Sequence, residues 1–374
     1  MSHTPIIIPE INNQKAICDY LIQSAIILSK KKYPTYIYYL HEAPAFNKNL
    51  TKISPFLYFF TPLKIFPFNR FKFAQQINIH LSFLYLYFYC FLKHRLIPIY
   101  WFFYPQISSL LKISPPPSKL IYDIVDFYSS SKPKIKHILH QQKKYLLKKA
   151  NLVTAISKSL IETYQKILPS VNINLVPQGF NLIKNNLKAH PELTKLNKLP
   201  YKIGFIGAIN NRLDYQLLFN LIQKTPKYNY IFIGPLGNDN NVSPKPVKSL
   251  AKKLFSYKNV YHIDLVPKSQ IGQFIKIFDI ATIPYDIKDD FNRLCYPMKL
   301  FEYFSAGKPV LTTPIKELEN FPTLVFSSSR VDAWLKNINN LFSNPWPKSN
   351  VTLAQKLAKD NSWQNKVEQI LKLI

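Results

Sequence analysis

The sequence predicts an α/β chain of two Rossmann-like domains. Strand and helix patterns alternate in both halves, which is the mark of parallel sheets covered by helices. The 374 residues suffice for two domains of ordinary size, and a 47% hydrophobic content suffices for two cores. A polar stretch from Leu182 to Pro200 separates the halves. The expected organisation is a first domain over 1–180, a linker over 181–200, a second domain over 201–350, and a helix over 351–374.

The elements of the first half follow in order. Ile6-Ile7-Ile8 reads as a strand that Pro9 ends, and 15–31 as an amphipathic helix. Thr35 to Leu40 is the next strand. The segments 53–61 and 63–68 are aromatic and broken by prolines, so they read as short strands or loops. A helix is expected over 75–93, and strands over 97–104 and 119–128. The helix at 133–150 is strongly basic and reads as a solvated or lipid-facing cationic surface. Its His137 and His140 stand three apart, but no third metal ligand accompanies them. A strand over 151–157 ends at Ser157, which is placed to cap a helix at 158–167. No glycine precedes Gly179, so this half has no glycine-rich phosphate loop and no dinucleotide fingerprint.

The second half opens with the strand 201–207, which ends at Gly207, where a ligand can approach the backbone. Arg212 follows; it could reach a ligand or pair with Asp214. Further strands are expected at 230–233, 259–263 and 279–285, the last ending at Tyr285. Asp286, Asp289 and Asp290 crowd one loop without the full pattern or the glycine of a calcium loop. The segment Tyr296-Pro-Met-Lys-Leu-Phe-Glu-Tyr-Phe-Ser-Ala-Gly307 is the most informative. Pro297 suits a first helical turn, apolar residues at 298, 300, 301, 304 and 306 bury one face, and Gly307 supplies a left-handed terminus. Val310-Leu311 then reads as a buried strand. Lys299 and Glu302 lie on one helical face. As a surface ion pair they would contribute a few tenths of a kcal/mol. At the start of a helix, however, a cation opposes the dipole unless an anion is bound there. A carboxylate one turn on can accept two ribose hydroxyls. Phosphate and ribose together indicate a nucleoside diphosphate.

The run Pro-Met-Lys-Leu-Phe-Glu-Tyr-Phe-Ser-Ala-Gly-Lys-Pro-Val at 297–310 resembles the donor-site signature of GT-B glycosyltransferases of the group-1 or family-4 type. Within them it is similar to teichuronic-acid and exopolysaccharide glycosyltransferases. The resemblance runs over roughly 97–313. It implies a GT-B architecture, with the two domains facing a central cleft and the last helix crossing back toward the first domain. It implies that Glu302 binds the ribose of a nucleotide-sugar, with Lys299, Arg212, Gly207, Tyr285 and Pro297 around the donor. It implies no metal and no cofactor, since the nucleotide-sugar is a substrate. Many members carry a second acidic residue eight positions before the ribose-binding one; here that position is Leu294. They also place Arg after the glycine, where this chain has Ala208. The segment Tyr122-Asp-Ile-Val-Asp126 matches the family's acceptor side. Asp126 then reads either as the catalytic group facing an acceptor hydroxyl or as a turn-capping residue. Asp123 reads as structural.

The net charge of +29 is denser in the first half, which has 22 Lys/Arg against 6 Asp/Glu over 1–178. Such a field favours polyanions. Cations alternate with aromatics over 66–73, a pattern for a membrane interface or for stacking on single-stranded nucleic acid. No nucleic-acid motif accompanies it, so an anionic membrane surface is the expected partner. The apolar run 77–92 is too short to span a bilayer. Cys18, Cys90 and Cys295 show no paired spacing, and no signal peptide is evident. The expectation is a cytoplasmic protein, peripheral on the inner face of the membrane. It would transfer a sugar to a saccharide or lipid-linked acceptor in cell-surface polysaccharide biosynthesis. The alternative is a non-catalytic membrane- or polyanion-binding protein on a decayed GT-B scaffold.

Overall fold

A computed structural model describes residues 3–11, 19–40, 49–66, 71–130, 132–180, 190–239 and 242–374. The chain divides into two compact units, Met1–Gly179 with Trp363–Ile374, and Phe180–Ser362.

The first unit is built on eight strands: β1 (Ile6–Glu10), β2 (Thr35–Tyr39), β3 (Leu50–Ser54), β4 (Leu57–Phe60), β5 (Ile99–Phe102), β6 (Lys119–Ile124), β7 (Leu152–Ala155) and β8 (Asn174–Leu175). Their order is β3-β4-β2-β1-β5-β6-β7-β8, parallel except for β3. β1, β2 and β5 are buried along their whole length, as strands covered on both faces must be. β1 does not stop before Pro9 as expected. The Ile6 N–H points to β2, so the N–H that proline lacks would point to β5. Pairing with β5 ends at Ile7, and Pro9 removes no ladder bond.

The helices of this unit are Asp19–Lys30, Lys72–His94, Pro133–Lys149, Lys158–Gln165 and Trp363–Leu373. Ser157 caps the fourth, accepting from the Leu160 N–H at 3.2 Å. The last helix is held by a buried ion pair. Lys366 Nζ lies 3.2 Å from the Asp123 carboxylate on β6, and Thr154 donates to the same carboxylate at 2.9 Å. The helix expected over 351–374 is in fact two. Lys348–Asp360 belongs to the second unit, and the chain breaks at Asn361-Ser362 before Trp363. Gly179 explains the seat of that tryptophan, because a Cβ there would lie 2.5 Å from its ring. Among the described residues, no helix is long and apolar enough to cross a membrane.

The second unit has six parallel strands: β9 (Lys202–Ile206), β10 (Asn229–Ile233), β11 (Val260–Ile263), β12 (Ile280–Ile283), β13 (Val310–Thr312) and β14 (Val325–Ser327). Their order is β11-β10-β9-β12-β13-β14. The order reverses between β9 and β12. In open parallel sheets, ligands bind at the carboxyl ends of the strands at such a point. The helices are Glu192–Asn197, Tyr215–Lys224, Val247–Phe255, Ile271–Ile277, Asp290–Arg293, Lys299–Ser305, Val331–Ser343 and Lys348–Asp360. The first falls inside the stretch expected to be linker. Its Leu193 and Leu196 are buried, and His190 donates its N–H to Gln273 and packs its ring on Phe274. Two leucines at i,i+3 suffice to fold this polar segment onto the domain.

Candidate nucleotide site at the strand-order reversal

The helix Lys299–Ser305 is seated over the ends of β9 and β12 by one buried side chain. The Tyr303 hydroxyl accepts the Ile206 N–H at 3.0 Å and donates to the Thr282 carbonyl at 3.3 Å. Leu300, Phe301 and Phe304 are fully buried beside it. The helix begins two residues later than Pro297, which lies buried before it, its carbonyl accepting from Leu300. It ends as expected. Gly307 has φ +66°, its N–H reaches Phe304, and that of Lys308 reaches Tyr303. This pair of hydrogen bonds is the Schellman terminus.

This seating carries Lys299 to the glycine at the end of β9. Gly207 has φ +138°, and a Cβ there would lie 2.6 Å from Lys299 Nζ. The amine sits over two rings, 4.2 Å from the centroid of Phe205 and 4.9 Å from that of Tyr285. Among the described residues, no carboxylate is in ion-pair range of it, so the surface pair with Glu302 does not form. Glu302 is half-buried one turn along the helix.

Arg212 lies on the other side of the same tyrosine, its guanidinium carbon 4.2 Å from the Tyr285 centroid and 4.8 Å from that of Phe291. Its Nε donates to Asn292 Oδ1 at 2.8 Å, and a terminal nitrogen lies 3.9 Å from Asp239. Asn292 is fully buried and donates to the Arg212 and Asp286 carbonyls, so it fixes both backbone and side chain. The expected alternative, pairing of Arg212 with Asp214, does not occur. Asp214 caps the helix Tyr215–Lys224, accepting from Leu217 at 2.9 Å. Gly207, Arg212, Tyr285 and Lys299 therefore meet around one ring. Sequence reasoning missed Asn292, Phe205, Phe291 and Tyr303, which carry no local signal of this role.

The acidic loop is accounted for by its own partners. Burial would raise the Asp286 carboxyl, but the hydrogen bond from Lys245 at 2.8 Å holds it below the usual range. Asp289 accepts from Ser243, and Asp290 pairs with Arg293 at 2.5 Å. Among the described residues, no group of three or more His, Cys, Asp or Glu side chains is placed to hold a metal ion. Leu294, at the position where the resemblance leads one to expect a second acid, is buried.

Asp126 belongs to the first unit, half-buried just beyond β6, its carbonyl accepting from the Tyr164 hydroxyl at 3.4 Å. The residues after it line a pocket of about 470 Å³ with Lys136, His137, His140 and Lys143. The helix Pro133–Lys149 is thus not wholly the solvated surface expected from its composition, because Lys143 is buried.

No family model matches the chain. A protein of Bacillus subtilis (strain 168), provisionally assigned as the teichuronic acid biosynthesis glycosyltransferase TuaH, is 24% identical over 222 residues. The match takes in 56% of this chain and about half (53%) of that relative's length. Among solved structures, sucrose-phosphate synthase from Thermosynechococcus elongatus superposes with a TM-score of 0.75 at 13% identity, over 99% of this chain and 98% of the other. Anabaena Alr3699/HepE in complex with UDP-glucose does so with a TM-score of 0.67 at 12% identity, over the whole of both chains. Two parallel-sheet units, a strand-order reversal and these neighbours together give the chain the fold of the GT-B glycosyltransferases, and its sequence is similar to one provisionally assigned to teichuronic acid biosynthesis.

Proposed function

We propose that the protein transfers a sugar from a nucleotide-diphosphate sugar to a saccharide or lipid-linked acceptor in cell-surface polysaccharide biosynthesis. The observation that carries this reading is the Lys299 amine, held over two rings against Gly207 with, among the described residues, no carboxylate beside it. A cation so placed is ready for an anion. In this reading Lys299 and Arg212 take the pyrophosphate and stabilise the charge that develops as the nucleoside diphosphate leaves. Gly207 lets it approach the backbone, Tyr285 orients both cations, Pro297 leads the chain into the helix, and Glu302 accepts the ribose hydroxyls. Two side-chain cations can offset the leaving charge without a metal, and the donor is a substrate, so we assign no cofactor. Asp126 would act on the acceptor side, as base or as orienting acceptor for its hydroxyl. The structural relatives include one in complex with UDP-glucose and one bound with UDP-2-fluoro glucose, which makes UDP the first nucleotide to test.

We further read the first unit as peripheral on an anionic membrane. Leu81, Tyr85, Phe88 and Leu92 stand exposed along one face of the helix Lys72–His94, with Phe71 and Phe73 at its start. Lys72, Lys93 and Arg95 flank that stripe, an arrangement that suits headgroups above and acyl chains below. Residues 67–70 of the basic-aromatic stretch lie outside the described residues. A second reading, a non-catalytic binding protein, is favoured by the buried Leu294 and by Ala208.

The test is thermal-shift titration with UDP, GDP and their sugars on wild type and Glu302→Ala. Stabilisation by one nucleotide, lost in the variant, supports the donor site. No shift with any nucleotide favours the binding protein. Retention on anionic vesicles at low salt, released as salt rises, tests the membrane surface; no retention removes it.

A further inference from the structure

The pocket beside Asp126 in the first unit has the chemistry of an anion site. Its wall is the loop Phe127, Tyr128 and Ser129, one side of the helix Pro133–Lys149, and Thr163 with Ile167 from the next helical segment. Three potential cations stand on its rim: Lys136, His137 and His140. The fourth, Lys143, lies at its base and is only 5% exposed. Among the described residues, no carboxylate pairs with any of the four. Lys143 rests instead on two aromatic faces, 4.6 Å from the Phe127 centroid and 5.1 Å from that of Tyr164. Those faces offset part of the cost of burial and leave the charge uncancelled. Burial, with Lys136 adding repulsion, pulls the ammonium down to about 8, so it is still charged at neutral pH. An uncompensated buried cation costs stability. Its place at the base of an open pocket leaves room for an anion to approach it.

We propose that this pocket binds a phosphoryl or diphosphoryl group, and that the group belongs to the acceptor. The second clause rests on the transferase reading above. Lys143 would hold the phosphate at the base, with Lys136, His137 and His140 closing on it from the rim. The pocket shares a loop with Asp126, so a phosphate held there fixes an acceptor near that carboxylate. Ile135 and Ile138 are exposed on the same first turns of the helix, which suits a phosphate borne on a prenyl or other lipid chain. A soluble sugar phosphate would carry the same group.

The experiment uses the full chain and inorganic pyrophosphate, with chloride matched for ionic strength. Wild type, Lys143→Met, Lys136→Gln and Lys299→Ala are titrated by thermal shift and calorimetry. The expected result is stabilisation of wild type, with affinity reduced about tenfold by Lys143→Met and less by Lys136→Gln. Lys299 would itself take pyrophosphate at the nucleotide site, so the pocket variants are also made in the Lys299→Ala background, where binding to the pocket should remain. No binding to Lys299→Ala overturns the proposal. So does binding in that background that survives both pocket variants. Lys136→Gln, which changes an exposed side chain, keeps the test decisive if Lys143→Met fails to fold. Farnesyl diphosphate is the second probe: tighter binding than pyrophosphate assigns a lipid-linked source, and equal binding a soluble one. UDP titration of the same proteins judges the transferase reading separately. Nucleotide binding without a pocket effect sinks the anion site alone, and the reverse sinks the nucleotide site alone.

Discussion

Lys143 and Lys366 are both buried lysines of the first unit, and they differ in what surrounds them. Lys366 meets the Asp123 carboxylate at 3.2 Å and joins the last helix to β6. Lys143 meets two rings and a pocket. Burial lowers both amines, but at Lys366 the carboxylate opposes it, whereas at Lys143 a neighbouring lysine adds to it. The first arrangement closes a charge account inside the fold, and the second leaves it open to solvent. Lys299 in the second unit follows the Lys143 pattern, with two rings beneath the amine and, among the described residues, no carboxylate beside it. In the readings proposed above, the amines of Lys143 and Lys299 take a ligand, whereas the paired amine of Lys366 makes a joint.

Breaking the joint should have the largest effect. Lys366→Ala leaves the Asp123 carboxyl group buried with, among the described residues, Thr154 as its one side-chain donor. The expected loss is about 3–5 kcal/mol, read from the denaturant midpoint. A loss under about 1 kcal/mol would mean the pair is no joint. Lys143→Met should go the other way. It keeps the stem and removes an uncancelled charge, so stability should rise, by at most about 3 kcal/mol given ~1.36 kcal/mol per pKa unit.

The pH dependence gives the same comparison a sign. The Lys143 amine falls from 10.5 to about 8 on folding. Below about 8 both folded and unfolded chains hold the proton, and the folded state bears the full cost. Between about 8 and 10.5 the unfolded chain binds the proton that the folded chain has released, so stability rises with pH. Subtracting the profile of Lys143→Met from that of wild type should isolate this rise. A flat difference would show that Lys143 is not held in the pocket as described.

In both units the local signals were legible in the sequence and the long-range ones were not. The helix Lys299–Ser305 and its terminus followed from Pro297, the apolar spacing and Gly307, all of them local signals. The cap at Ser157 was legible for the same reason. Arg212 was harder. Its neighbour Asp214 offered a partner two residues away, but a helix N-terminus had the stronger claim on that carboxylate. The side chain that accepts its Nε–H, Asn292, comes from 80 residues further on. Lys143 was hidden altogether, because in a run of lysines on one helix the composition reads as surface. Which lysine is buried depends on how Tyr164 and Phe127 pack against that helix, and no spacing in the sequence records it.

The smallest predicted effect tests whether Lys143 and Lys299 are truly alike. If the rings support the charge, removing a ring should matter more when the lysine is present. Phe127→Leu alone loses packing as well as ring, so the single variant cannot separate the two. A double-mutant cycle with Lys143→Met does, since the packing loss is common to both arms. The expected coupling is about 0.5–1 kcal/mol, near the lower end for a cation over an aromatic face. The matching cycle, Phe205→Leu with Lys299→Met, should give a coupling of the same sign. A coupling at Lys299 with none at Lys143 would break the parallel: the ammonium of the first unit would then rest on its rings by contact alone, and the anion expected in its pocket would have to supply all of its compensation.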